Sequence, residues 1–262
     1  MLPREHGAWV LLIAPILVGL LGAPIFVPAV AGLFLLGSLA AFLARAPLQV
    51  LAARPADRRA RGWLAVYAAL TAAGFLPLIA FSGRWKLLLF AVPAGLLLAQ
   101  NLSANRSGRR FSAVNEAAGV LGLCLGAPAA YYAASSRLGL QAWLLWLLCA
   151  AYFIGPIFHV KMAALQHRTT VDAAALPKLE RMRRLSTAYH GLALLGVGAW
   201  AAWGAIPAAA AIPFAAALTK TVLRGRRAPE RVDFRSLGYL EVAYSILFVI
   251  VMGAAFAGGG AA

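Results

Sequence analysis

The chain has 262 residues, 63% of them hydrophobic and 12% charged, with a mean hydropathy of +0.81. A soluble domain is about 45–50% apolar, so a water-soluble globule is excluded. The formal net charge of +16 would suggest nucleic acid in a soluble protein, but these cations flank apolar runs, which makes anionic lipid headgroups the expected partner and nucleic acid not.

Nine apolar runs follow one another at about 3–23, 25–44, 63–82, 86–102, 114–134, 140–160, 185–204, 206–222 and 236–257. Each is near the ~20 residues needed to cross a bilayer core. The pattern predicts an all-α polytopic membrane protein of about nine transmembrane helices, with 1–262 as a single transmembrane domain. A basic residue, an apolar run and Gly22-Ala23 loosely mimic a secretory signal, but residues 3–23 read as a retained first helix.

Lysine and arginine are divided unequally between alternate connections. One set (1–7, 45–62, 103–112, 161–184 and 220–235) holds 21 of the 24, and the other holds only Arg84, Lys86 and Arg137. By the positive-inside rule the first set is cytoplasmic, which puts the amino terminus inside and the carboxyl terminus outside the cytoplasmic (inner) membrane. Short outer connections carry Gly and Pro, as at Ala23-Pro24 and Ala205-Ile206-Pro207. The two longest inner segments, 45–62 and 161–184, follow the second and sixth runs. Segment 45–61 reads as a short interfacial helix cut at Pro55, and 173–184 offers a similar helix after Pro177.

An ionised side chain at a helix centre costs about 2.5–3.5 kcal/mol on insertion scales, so polar residues at depth need a reason. Glu116, His190 and Glu241 lie within predicted runs and are the candidates for proton transfer or for orienting cations. His159 and Lys161 close the sixth run; Asn101 and Asn105 end the fourth. Together these residues suggest one pocket open to the cytoplasm. The competing reading is local snorkelling, capping or pairing, which weighs most for Lys161 and Lys220. Glu5-His6 is either an amino-terminal cap or an acid–base pair facing the same pocket. Arg106, Arg109 and Arg110 precede a helix start near Ser112, a placement that suits a phosphate or diphosphate head as well as ordinary lipid. Gly122 and Gly126 form a small-xxx-small pair for close helix contact. Cys124 and Cys149 fall inside predicted runs and read as buried, inert thiols.

The opening PREHGAW, the LARAPL at 43–48 and the FHVKM at 158–162 resemble the YwiC-like family of bacterial membrane proteins, over most of the chain. More distantly, nine helices, an inner amino terminus, long inner loops after the second and sixth helices, and the stretch GRRFSAVNEAAGVLGLCLGAP (108–128) resemble the UbiA superfamily of intramembrane prenyltransferases. That resemblance implies a UbiA-like helical bundle that holds a prenyl diphosphate, with Arg109 or Arg110 on the diphosphate. Those enzymes use aspartate-rich motifs, NDxxDxxxD and DxxxD, to bind Mg²⁺. This chain departs from them: the first site reads RAPLQVLAARPAD and the second FHVKMAALQHRTTVD. No metal ligands and no cofactor are assigned. Mg²⁺ would need a site rebuilt from Glu5, Glu116 and Glu241.

The expected function is therefore binding of an isoprenoid or other lipid with an anionic head, with divergent transfer or without turnover. In that reading Arg109 and Arg110 meet the head, and Arg45 and Lys161 add positive charge where the aspartates would sit. His159, Asn101, Asn105 and His6 complete the substrate-binding set. The alternatives are a transporter or exporter component, which would place charges near the midplane in inverted repeats, and a haem or quinone protein using His190 and His159.

Overall fold

The structure, a computed structural model, describes residues 6–106, 113–228 and 231–257. Its regular elements among those residues are all helical: α1 (His6–Leu21), α2 (Pro28–Ala53), α3 (Arg58–Ala80), α4 (Leu87–Arg106), α5 (Ala113–Cys124), α6 (Gly126–Ser135), α7 (Leu140–Thr169), α8 (Leu176–Ala202), α9 (Ile212–Gly225) and α10 (Phe234–Ala257), with single 3₁₀ turns before α8 and α9. Five helical runs are long and apolar enough to cross a membrane: Pro28–Ala53, Arg58–Ala80, Asn115–Ser135, Leu140–Thr169 and Phe234–Ala257. The shorter Trp9–Leu21 and Leu87–Gln100 are apolar as well. Two others fall short for visible reasons. The first turns of α8 carry Lys178, Glu180, Arg181, Arg183 and Arg184, and α9 has only 14 residues, Lys220 and Arg224 among them.

The helices depart from the expected boundaries at three places. Residues 45–53 are no separate interfacial helix. They continue α2 through Pro47, a break that spanning helices tolerate because neighbours satisfy the freed carbonyl. The chain stops short of Pro55, and Asp57 then starts α3 by accepting the Ala60 amide at 2.8 Å. Likewise 176–184 is the first part of one continuous α8. The fifth apolar run divides at Leu125 into α5 and α6, since Pro128 has no N–H for the Cys124 carbonyl and its ring crowds it.

The chain forms two compact units, Met1–Trp146 and Leu147–Ala262, whose boundary falls within α7. In the first unit α2 packs along α3, and α1 along α6. Glycine permits both approaches. A Cβ on Gly74 would collide with the Gly37 amide nitrogen and the Leu33 carbonyl, and one on Gly19 with the Ala127 carbonyl. Gly126 abuts the Ile16 side chain of α1 and Gly122 the Leu97 side chain of α4, so the two glycines, on α6 and α5, face different helices rather than forming one small-residue contact. The polar bonds of this unit sit mostly at helix ends: Arg84 donates to the Ala133 carbonyl, and Gln141 to the Gly22 carbonyl at 3.2 Å.

The second unit is layered along its helices. At the basic end, Gln166 of α7 accepts from Arg224 Nε at 2.7 Å and donates to the Arg224 carbonyl at 3.0 Å. There too, Arg183 of α8 donates to Glu180 at 2.7 Å and to the Arg227 carbonyl at 2.5 Å. At the other side of the candidate site, Tyr152, Phe153, Phe214 and Phe248 form an aromatic cluster, with Tyr152 stacked on Phe248 at 4.1 Å. Cys124 and Cys149 are both buried, each in its own unit.

Candidate functional site

Between the arginine layer and the aromatic cluster of the second unit lies a buried polar assembly. Glu241, eight residues into α10, is its centre. Its Oε1 accepts from Lys220 Nζ at 2.7 Å and pairs with His159 Nδ1 at 2.5 Å, while Oε2 accepts from Lys220 at 2.8 Å. His159 is 0% exposed and Lys220 8%. Lys220 also lies 4.6 Å from the centroid of the Tyr244 ring, a cation–π contact one turn along from Glu241 on α10. Tyr152 ties the assembly to the aromatic cluster by donating to the Tyr244 carbonyl at 2.8 Å.

The helical spacing explains how the sequence builds this. On α9, Lys220 and Arg224 are four residues apart and share a face, so one side of the helix runs from the arginine layer to the assembly. On α7, His159 and Gln166 are seven apart and also share a face. A buried charge pair is expensive to desolvate and is retained only when every lone pair is met. Glu241 meets that condition, since both carboxylate oxygens are occupied.

His190 of α8 is buried beside this group. Its Nδ1 donates to the Ser186 carbonyl at 2.7 Å, and its Nε2 lies 2.7 Å from where a Cβ on Gly155 would be. Gly155 therefore admits the imidazole against α7; any larger residue there would displace it. In a neutral imidazole whose Nδ1 donates, Nε2 is the acceptor. His159 Nε2 is buried with no hydrogen-bond partner.

Of the residues singled out from the sequence, the structure brings His159 and Glu241 into direct contact and sets His190 beside Gly155 on α7. Lys161 lies on α7, half-buried, two residues past His159 and so on another side of the helix. In the first unit, Glu116 is half-buried in the first turn of α5. Arg45 is half-buried on α2, its guanidinium 5.1 Å from the Phe42 ring centroid. His6 is the first residue of α1, and Asn101 and Asn105 lie on α4. Arg109, Arg110 and Glu5 fall outside the described residues.

Sequence reasoning missed Lys220 as the partner of Glu241, and missed Gln166 and Arg224 altogether. The signal was the i,i+4 placement of Lys220 and Arg224 on an otherwise apolar face. No group of three or more His, Cys, Asp or Glu is gathered among the described residues, and the Glu241 carboxylate is taken by a lysine and a histidine.

Residues 2–131 match the model of the YwiC-like protein family. The "Uncharacterized protein YwiC" of Bacillus subtilis (strain 168) is 27% identical over 260 residues, covering 96% of each chain. The chain is similar to the YwiC-like family over residues 2–131. No solved structure matches it. The residues matched by the family lie in the first unit, whereas the alignment with the Bacillus relative extends through the second unit and its polar assembly as well.

Proposed function

We propose that this YwiC-like protein crosses the bacterial inner membrane nine times, amino terminus inside, and binds an amphiphile with an anionic head, an isoprenoid diphosphate or a comparable anionic lipid. The head enters from the basic end of the second unit, along the face shared by Arg224 and Lys220. The observation that carries this reading is the His159–Glu241–Lys220 assembly, because ionisable groups held at membrane depth are retained for function by default. Arginine layer, polar assembly and aromatic cluster follow in order, so a head finds cations first and a tail meets rings and lipid. Arg109 and Arg110, in the first unit, are the proposed contacts of a separate anionic headgroup, with Glu116 and Arg45 supporting them. A UbiA-like transfer reaction is the catalytic form of the same reading, with Glu241 and His190 as the proton-handling candidates.

Thermal unfolding of the purified protein with a panel of prenyl diphosphates, with and without Mg²⁺, tests this. A ligand that binds only the folded state raises Tm by mass action. Stabilisation that is lost in Arg224→Ala and kept in Arg84→Ala supports the reading, and Arg109→Ala is compared with Arg84→Ala in the same way. Equal loss in the partnered variants, or no response to any diphosphate, contradicts it. A transporter is the second reading, favoured by the compensated Lys220–Glu241 pair with a histidine on the same carboxylate. The aromatic cluster at the far side of the assembly argues against it, because the polar face ends there. Flux in proteoliposomes that collapses in Glu241→Gln would favour transport.

A further inference from the structure

Ser186 shows an anomaly that the anionic-head reading does not use. Hydroxyl residues inside these helices normally satisfy themselves by donating to the carbonyl four residues back. Thr169 does so at 2.7 Å, Thr219 at 2.9 Å and Ser245 at 2.8 Å. Ser186 Oγ on α8 and Thr221 Oγ1 on α9 are buried without any partner, and at Ser186 the carbonyl is engaged by His190.

The register of the second unit places the Ser186 hydroxyl on the same seam as a second unmatched atom, His159 Nε2. α7 and α8 run antiparallel, joined by a short connection, and meet where His190 Nε2 packs against Gly155. One turn from that contact towards the basic end, α7 carries His159 and α8 carries Ser186. Both side chains are 0% exposed, and both His159 Nε2 and Ser186 Oγ lack a partner. Buried polar atoms are nearly always matched, so two orphans at one level of one helix seam point to a group that belongs between them.

Their chemistry specifies that group. When the His159 ring is neutral and its Nδ1 hydrogen is on Glu241, Nε2 is a lone pair that asks for a proton donor. Ser186 can donate in return. An anion brings Nε2 no proton, and a cation would meet the Lys220 ammonium. Lys220 and Glu241 already neutralise each other. An uncharged O–H group, donating once and accepting once, satisfies both atoms. The stacked rings of Phe158 and Tyr189, 4.9 Å apart, lie across the same two helices, and Val160 and Leu185, at 40% and 45% exposure, flank the two orphans in sequence. That environment suits an apolar tail.

We propose that the α7–α8 seam binds the hydroxyl of an uncharged amphiphile, an alcohol or phenol with an apolar tail, whose O–H donates to His159 Nε2 and whose oxygen accepts from Ser186 Oγ. This site is independent of the anionic-head reading, because its probe carries no charge. The test uses full-length protein, labelled with ¹⁵N-histidine, in phosphatidylcholine nanodiscs, which contain no headgroup hydroxyl. The probes are 4-nonylphenol and its methyl ether, 4-nonylanisole, which keeps the ring and tail but cannot donate. The phenol is expected to raise Tm and to shift the His159 Nε2 resonance, while the anisole does neither. Ser186→Ala removes a hydroxyl with no partner to lose, so it should fold normally and weaken phenol binding roughly tenfold, the loss of one hydrogen bond. His159→Gln assigns the resonance. Three results would each overturn the proposal: equal effects of phenol and anisole, no response to the phenol (a seam holding water only), or unchanged phenol affinity in Ser186→Ala.

Discussion

The two units of this chain reach stability by opposite means. The first packs backbone against backbone: Gly74 meets Gly37, Gly19 meets Ala127, and the polar bonds sit mostly at helix ends. The second gathers charge and hydrogen bonding in its interior, where Glu241 joins α7, α9 and α10 through His159 and Lys220. Small-residue packing is the common way to join helices in lipid, where apolar burial gives helices no net attraction for one another. Interior charge is not needed for that purpose and costs desolvation. Among the described residues the buried carboxylate shared by a lysine and a histidine lies in the second unit, which directs the functional question there.

Substitutions can break this comparison, and the largest effect is expected at Glu241. Glu241→Ala leaves Lys220 and His159 without their acceptor, and removing one member of a buried pair costs about 3–5 kcal/mol. Reversible unfolding in mixed micelles measures it. The double variant Lys220→Met, Glu241→Leu should cost less than Glu241→Ala alone, because no orphan charge remains. A double variant as unstable as the single one would mean that the pair is not what holds these helices.

Gly74→Val in the first unit should cost about 1–3 kcal/mol through overpacking, since the obstructing atoms are backbone and cannot swing aside. The same unfolding assay applies; a neutral result would show that α2 and α3 are not in close contact. Arg84→Ala removes a guanidinium bond to the Ala133 carbonyl and should cost about 0.5–1.5 kcal/mol.

The smallest effect concerns Asp233, which is fully exposed just before α10. The Ser236 hydroxyl, and then the Arg235 amide, hold its carboxyl below the usual carboxylate range. A folded pKa below the unfolded value means that this capping contribution is present above the unfolded pKa and fades as pH falls through the folded one. Carboxyl ¹³C NMR should show a lowered midpoint that moves up in Ser236→Ala. An unchanged midpoint would remove Ser236 from the cap.

Much of this architecture is legible in the residues themselves. Apolar runs of about 20 residues placed the helices, and His159, His190 and Glu241 stood out because such residues are costly at depth. What stayed hidden depends on tertiary contact. Lys220 lies 21 residues from Glu241, and near a helix end it looks like any snorkelling lysine until α9 and α10 are seen side by side. The boundary expected at residue 45 is none, since α2 continues through Pro47, while Pro128 is near a break that its apolar run conceals. The unpartnered Ser186 hydroxyl has no sequence signature, because most helical serines bond to their own helix.

The most direct test of the polar assembly is the tautomer of His159, read by ¹⁵N NMR on histidine-labelled protein with the ring in its neutral form. A shared Glu241 carboxylate requires the proton on Nδ1, in a strong hydrogen bond, and a bare Nε2. A proton found on Nε2, with Nδ1 bare, would mean that His159 does not donate to Glu241 and would contradict the assembly at its centre.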